Sequence, residues 1–174
     1  MAKQKTTHFQ GKVFRFGDDI NTDFIISGRY KFAISDMKEL SQYLFEDIRP
    51  NFYKEITPGK SVIVAGNNFG MGSSREQAPW VIKEAGVNCV IAKSFARIFY
   101  RNAFNIGLPL IELNTDSLGE GDQVEINLDK GSLIKQDTKQ ELSFPAFDEF
   151  RKRLISCGGI LNYLKKYKDL KLPE

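Results

Sequence analysis

The sequence predicts an α/β fold in which a mixed sheet carries parallel crossover units, and three observations lead there. The runs SVIVA (Ser61 to Ala65), VNCVIA (Val87 to Ala92) and LPLIEL (Leu108 to Leu113) are short and largely apolar, as strands buried on both faces are. The segments between them, SSREQAPWVIKEA and SFARIFYRNAFNIG, are long enough for crossover helices and end at Gly86 and Gly107. The last third differs: GDQVEINL, SLIKQD and ELSF are separated by short turns such as Lys130–Gly131, which is the spacing of antiparallel strands.

Taken in order, QGKVFRF (Gln10 to Phe16) reads as a first strand running into a polar loop, GDDINTD, from Gly17 to Asp23. Phe24, Ile25 and Ile26 then lead into SGRYKFAIS, which has no clear period. Ser35 is expected to cap a helix with Met37, Leu40 and Leu44 on one face, ending before Pro50. Pro58 and Gly59 turn the chain into the first buried strand. GNNFGMG forms a loop, Ser73 and Ser74 open the next helix, and Ser94 opens the one after the second buried strand. A helix over about Ala146 to Ser156 and an amphipathic segment ILNYLKKY complete a single domain, 1–174.

Composition narrows the function classes. Apolar residues at 41% and charged residues at 27% suit a globular chain, not a disordered one. A net charge of +3 is too small for a phosphate-backbone binder, so no nucleic-acid partner is expected. Much of it lies in the tail lysines Lys165, Lys166, Lys168 and Lys171, read as a solvated face. Cys89 and Cys157 are too few and too distant to hold a metal alone, and Cys89 reads as a buried thiol. With no secretory-type leader and no run of 18 apolar residues, the expectation is a cytoplasmic protein without a membrane partner.

The residues that could carry chemistry fall into three groups. In GNNFGMGSSR (Gly66 to Arg75) closely spaced glycines let a ligand approach the main chain, Ser73 and Ser74 offer hydroxyls at a helix start, and Arg75 offers a planar donor for a carboxylate. The same serines have capping-box spacing to Glu76 and Gln77, so capping and an anion site both remain open. A serine nucleophile in a histidine-based triad is the least favoured reading, because the single His8 stands far away near an end expected to fray. Asp18, Asp19, Asn21, Thr22 and Asp23 could bind a metal, hold a donor or form Asx turns, but miss the calcium-loop pattern. Arg97 and Arg101, four apart, could clamp a polyanion, face a partner or join surface ion pairs. The glycines match neither GxGxxG nor a P-loop, which argues against a nucleotide site. No complete acid–base machinery is present, so the chain reads as part of an active site.

Three motifs in order, FGDDINTDFI, GNNFGMGSSREQAPWVIKEAG and AKSFARIFYRNAFNIGLPLIE, give the chain a resemblance over essentially its whole length. It resembles the small subunits of 3-isopropylmalate dehydratase and prokaryotic homoaconitase, which correspond to the mobile carboxy-terminal domain of aconitase. The resemblance implies a swivelling β/β/α domain and a large iron–sulfur subunit, in a heterodimer or heterotetramer. That partner would carry a [4Fe-4S] cluster, with none bound by this chain. By residue, it makes Ser74 the serine whose alkoxide removes the α-proton, Ser73 and Arg75 the neighbours that bind substrate carboxylate, and Asp23 an aspartate ordering the polar network.

The same resemblance makes Tyr30, Lys31 and Phe32 part of the wall that discriminates substrates. Family members acting on isopropylmalate commonly carry an aliphatic residue after the tyrosine, and homoaconitases a basic one. Lys31 departs from the aliphatic pattern and could pair with a distal carboxylate, or point outwards while Phe32 supplies an apolar wall. The implied activity is a hydro-lyase acting on a di- or tricarboxylate, with isopropylmalate in leucine biosynthesis ranked before homoaconitate and dimethylmalate. A non-catalytic swivel-type binding domain is the alternative from another class.

Overall fold

A computed structural model describes residues 7–170. Its strands are β1 (His8–Arg15), β2 (Ser61–Val64), β3 (Cys89–Ala92), β4 (Leu110–Glu112), β5 (Gln123–Asn127), β6 (Ser132–Lys135) and β7 (Glu141–Ser143). They form one mixed sheet in the order β4-β3-β2-β1-β5-β6-β7. β1 to β4 are mutually parallel, with Val13 opposite Val62, Ile63 opposite Val90 and Ile91 opposite Ile111. β5, β6 and β7 continue antiparallel from the other edge of β1. This is the mixed α/β sheet with crossover helices expected from the alternation of apolar runs, and of an aconitase-type swivel domain.

The apolar runs are continuous because the central strands are covered on both faces. Val13, Val62, Val64, Cys89 and Ile91 face a core closed by Leu118, Phe147 and Ile155. Phe14, Ile63, Val90 and Ala92 face the larger core, filled by Leu40, Phe45, Phe52, Val81 and Phe99. The helices on that side are α1 (Thr22–Ile25), α2 (Gly28–Lys31), α3 (Met37–Ser41), α4 (Phe52–Glu55), α5 (Gln77–Glu84) and α6 (Arg97–Ile106). α7 (Glu149–Cys157) and α8 (Ile160–Tyr167) end the described chain; Lys165, Lys166 and Lys168 are exposed, and Lys171 lies outside the described residues.

Several local expectations need correction. Asp36, not Ser35, caps α3 by accepting from the Glu39 N–H at 2.8 Å, and the helix ends at Ser41 because the chain turns to a left-handed Phe45. The Gly17 to Asp23 loop ends in α1, which Asn21 caps through the Phe24 N–H. α5 begins at Gln77 with no side-chain cap, so neither Ser73 nor Ser74 opens it. α6 begins at Arg97, and Ser94 accepts instead from the Asn68 N–H at 2.8 Å. His8 is a strand residue with its Nε2 2.7 Å from Glu125 Oε1, not part of a frayed end.

Arg49 ties the α3–α4 turn to the sheet. It donates to Glu55 at 2.6 and 2.9 Å and to Glu120 at 2.9 Å, and its guanidinium lies 5.1 Å from the Phe52 ring centre and 5.3 Å from that of Phe14. Burial alone would raise the Glu120 carboxyl; hydrogen bonds from Arg49 and the Arg15 N–H outweigh it and hold that group below the ordinary glutamate value. A folded-state pKa below the unfolded one stabilises the fold above the unfolded pKa of about 4.3, and that contribution is lost as pH falls through the folded value. Melting curves of the wild type and Glu120→Gln should therefore differ most near neutral pH and draw together as the pH falls below the unfolded value of about 4.3. A gap that stayed constant down to pH 3 would assign the stabilisation to something other than this ion pair.

Candidate active site

Parallel strands bring their carboxyl ends to one side, and the loops that follow β1, β2 and β3 meet there. Backbone pairing continues beyond the strand ends. The Gly66 N–H donates to Gly17 O at 3.1 Å, Asp19 to Asn67 O at 2.9 Å, Gly70 to Ile20 O at 2.7 Å and Thr22 to Met71 O at 2.9 Å. On the other flank Lys93 donates to Gly66 O at 3.0 Å, and Phe69 to Ser94 O at 3.0 Å. The segment Gly66 to Arg75 is thus laced between its two neighbours.

Side chains fix the same loop. Asp18 Oδ1 accepts from the Asn67 N–H at 2.6 Å and from its side-chain amide at 3.3 Å. It occupies the place of the missing side chain of Gly66, where an ideal Cβ would lie 1.8 Å from that oxygen. Phe69 is fully buried and packs edge-on to Phe99 at 5.2 Å, anchoring the loop in the core. Gly70, at φ +82°, presses so closely on α6 that a Cβ would sit 2.2 Å from the Phe99 ring.

The loop ends at the serines. Thr22, itself buried, donates its hydroxyl to Ser73 O at 2.8 Å. Arg75 donates to Ile26 O at 3.0 Å and to Ser73 Oγ at 3.3 Å, and pairs through its Nη2 with Asp23. Ser73 and Ser74 are exposed beside a cleft of about 430 Å³, lined also by Thr22, Gly72, Arg75, Arg97, Arg101 and Asn102. The first turn of α6 borders this cleft at Ala96, Arg97 and Ile98 and has no side-chain cap, so the positive end of that helix faces it.

The expected site residues therefore divide into two groups. Asp23, Ser73, Ser74 and Arg75 come together. Tyr30, Lys31 and Phe32 lie on and just after α2, outside the residues lining this cleft. Tyr30 stacks on Tyr43 at 4.2 Å, and Lys31 Nζ lies 5.4 Å from the Phe32 ring centre. Phe32, 83% exposed, approaches the arginine through Gly28, whose ideal Cβ would lie 3.5 Å from the Phe32 ring and 3.8 Å from Arg75 Nη1. Sequence reasoning allowed the paired acids of GDDINTD to hold a donor, as Asp18 does for Asn67, but missed Asn67 and Thr22 as props of the serine loop; the only signal for Thr22 was the density of short polar side chains in GDDINTD. Among the described residues no three His, Cys, Asp or Glu side chains gather as a metal-ligand set, Cys89 being buried in β3.

The fold and cleft define the class as a swivel domain with a polar loop cluster at its strand ends, and comparison with known proteins is concordant. A family model for the aconitase C-terminal domain matches residues 29–116. The chain is 48% identical to 3-isopropylmalate dehydratase small subunit 2 of Archaeoglobus fulgidus, over 93% of this chain and 98% of the relative. It is 45% identical to the isopropylmalate/citramalate isomerase small subunit of Methanocaldococcus jannaschii, over 90% of this chain and 94% of the relative. A crystal structure of 3-isopropylmalate dehydratase from the latter organism superposes with a TM-score of 0.86 at 46% identity, covering 92% of this chain and 95% of that one.

The chain belongs to the aconitase superfamily, in the family of 3-isopropylmalate dehydratase and homoaconitase small subunits. Membership implies pairing with a large subunit and a role within a hydro-lyase complex.

The Asp18 prop is testable by a double-mutant cycle. Gly66→Ala displaces the carboxylate and Asp18→Ala deletes it, so each should cost about 1–2 kcal/mol in urea unfolding through loss of the same charge-assisted bond. The double variant should then lose clearly less than the sum. Full additivity would show that the two residues act separately.

Proposed function

We propose that this chain is the small subunit of a 3-isopropylmalate dehydratase, which interconverts 2-isopropylmalate and 3-isopropylmalate by dehydration and rehydration in leucine biosynthesis. The observation that carries the reading is Ser74 at the edge of a cleft that also holds Arg75, with Arg75 fixed by Asp23, Ile26 O and Ser73. The [4Fe-4S] cluster is proposed to belong to the large subunit.

In this reading Ser74 Oγ, as the alkoxide, takes the proton from the carbon beside a carboxylate. The hydroxyl leaves the adjacent carbon as hydroxide with its bonding pair, giving the unsaturated acid; a hydroxide equivalent then adds to the carbon that lost the proton while the Ser74 hydroxyl returns its proton to the other carbon, which restores the alkoxide. A serine is a feeble base in water, so its anion needs cations and a closed, poorly hydrated cleft. Because α5 starts at Gln77, its amides are not the support expected for Ser74. Arg75 and the amino end of α6, both at the cleft, are the better placed positive groups. Asp23 holds Arg75 at the angle that presents its remaining N–H groups, and Ser73 accepts from the same guanidinium.

Isopropylmalate is favoured over homoaconitate by the placement of Lys31. Its ammonium lies against the Phe32 ring and is not among the groups lining the cleft, so it offers that cleft no charge for a third carboxylate. Dimethylmalate, like isopropylmalate, brings no third carboxylate and is separated from it by assay.

The test is Ser74→Ala in the chain combined with its large subunit and an anaerobically reconstituted cluster. Ser74 makes no cap hydrogen bond, so folding and subunit association should be retained, while turnover of isopropylmalate falls by about 10³-fold or more, the scale of losing a reacting group. Near-normal turnover would remove Ser74 from the reaction. A wild-type complex preferring homoaconitate or dimethylmalate would reassign the substrate.

A further inference from the structure

We propose that Arg97 and Arg101 form a second carboxylate clamp in the cleft, holding the substrate carboxylate that Arg75 does not. The inference rests on the reading of this cleft as the substrate site. Arg75 has given its Nε and one N–H from each terminal nitrogen to Ser73, Ile26 O and Asp23, and Asp23 offsets its charge. A substituted malate brings two negative charges, and Arg75 with two free N–H groups answers one of them.

Arg97 and Arg101 stand one turn apart on α6, both exposed and both lining the cleft with Ser73, Ser74 and Asn102. Among the described residues no carboxylate forms an ion pair with either, although Glu112 borders the adjoining hollow with them. Two like charges at this spacing repel each other, and an anion lying between them reverses the sign of that energy. The face is concave, and its volume of about 430 Å³ is that of a small-molecule site. That shape favours a free carboxylate over the acidic side chains of a protein partner, the other possible source of negative charge.

Arg97→Gln and Arg101→Gln, alone and together, are assayed in the reconstituted complex beside Arg97→Lys and Arg101→Lys, and subunit affinity is measured in parallel. Loss of a charge-assisted clamp should raise KM by about 10- to 100-fold in the double variant, with lysine restoring part of it and subunit affinity held. An unchanged KM overturns the clamp. A fall in subunit affinity that accounts for the loss assigns the arginines to the partner's surface instead.

Malonate titrated into the full-length chain alone provides a readout independent of turnover, followed through the arginine Nε–H resonances identified with the glutamine variants. Shifts of Arg97 and Arg101 are expected, and their absence sinks the clamp. If the wild-type complex turns over none of the substrates, the dehydratase reading fails and the malonate titration alone decides the clamp.

Discussion

Gly66 has no space for a side chain because Asp18 fills it, and the geometry of the cleft depends on that contact. The sheet by itself fixes only where β1, β2 and β3 end. The Asp18 carboxylate, accepting from the Asn67 N–H at 2.6 Å, locks the loop after β1 to the loop after β2, and Asp19, Ile20 and Thr22 continue the pairing towards the serines. Because these are successive backbone bonds, a displacement at Gly66 is transmitted along Asn67 to Met71 and so to Ser73, whose carbonyl Thr22 holds. Phe69, buried among Phe45, Phe95 and Phe99, keeps the loop from lifting as a unit. Polar lacing sets its register, and one aromatic plug sets its depth.

The cations of the molecule divide by what they touch. Arg15 donates to Leu118 O at 2.7 Å and to Thr115 O, Arg49 bridges two glutamates, and Lys83 donates to Ile106 O at 2.5 Å and Gly158 O at 3.0 Å, satisfying carbonyls at the ends of α6 and α7. These are internal ties. Lys83 matters for the cleft because it secures the carboxyl end of α6, while the Gly70–Phe99 contact fixes the other end. A helix held at both ends carries its outward arginines in a fixed place, which a binding site needs and a mobile surface does not supply.

The centre of the parallel half of the sheet was legible because β2 and β3 are buried on both faces and are therefore largely apolar, and Gly86 and Gly107 marked the ends of the crossover helices well. The starts of those helices were not legible. Ser73, Ser74 and Ser94 all look like caps by residue type, yet the chain needs them elsewhere: Ser94 for the Asn68 N–H, Ser73 for Arg75 and Thr22. Local capping preference is worth about 1 kcal/mol, which tertiary hydrogen bonds readily override. Asp23, Ser73, Ser74 and Arg75 were readable as a group through the family motifs. The Asp18–Gly66 contact was not, because it joins residues 48 apart in sequence and involves a glycine whose role is to be absent from a space.

Ser74 and Ser73 are exposed, and a hydroxyl in water does not become an alkoxide near neutral pH. The isolated domain thus carries a polar cleft with its cations in place, able to meet a carboxylate, but without the low-polarity surroundings that a serine anion needs. Phe24 at 39%, Phe32 at 83% and Ile98 at 52% exposure lie close by in sequence or space: Phe24 beside Asp23, Phe32 near Arg75, Ile98 on the cleft wall. A surface closing over these side chains would gain apolar burial and expel water from the serines in the same movement, so that, on the proposed reading of Ser74 as the base, association and its activation become one event. Splitting a site between two chains then has a physical use, since Ser74 would acquire its reactivity only in the assembled complex.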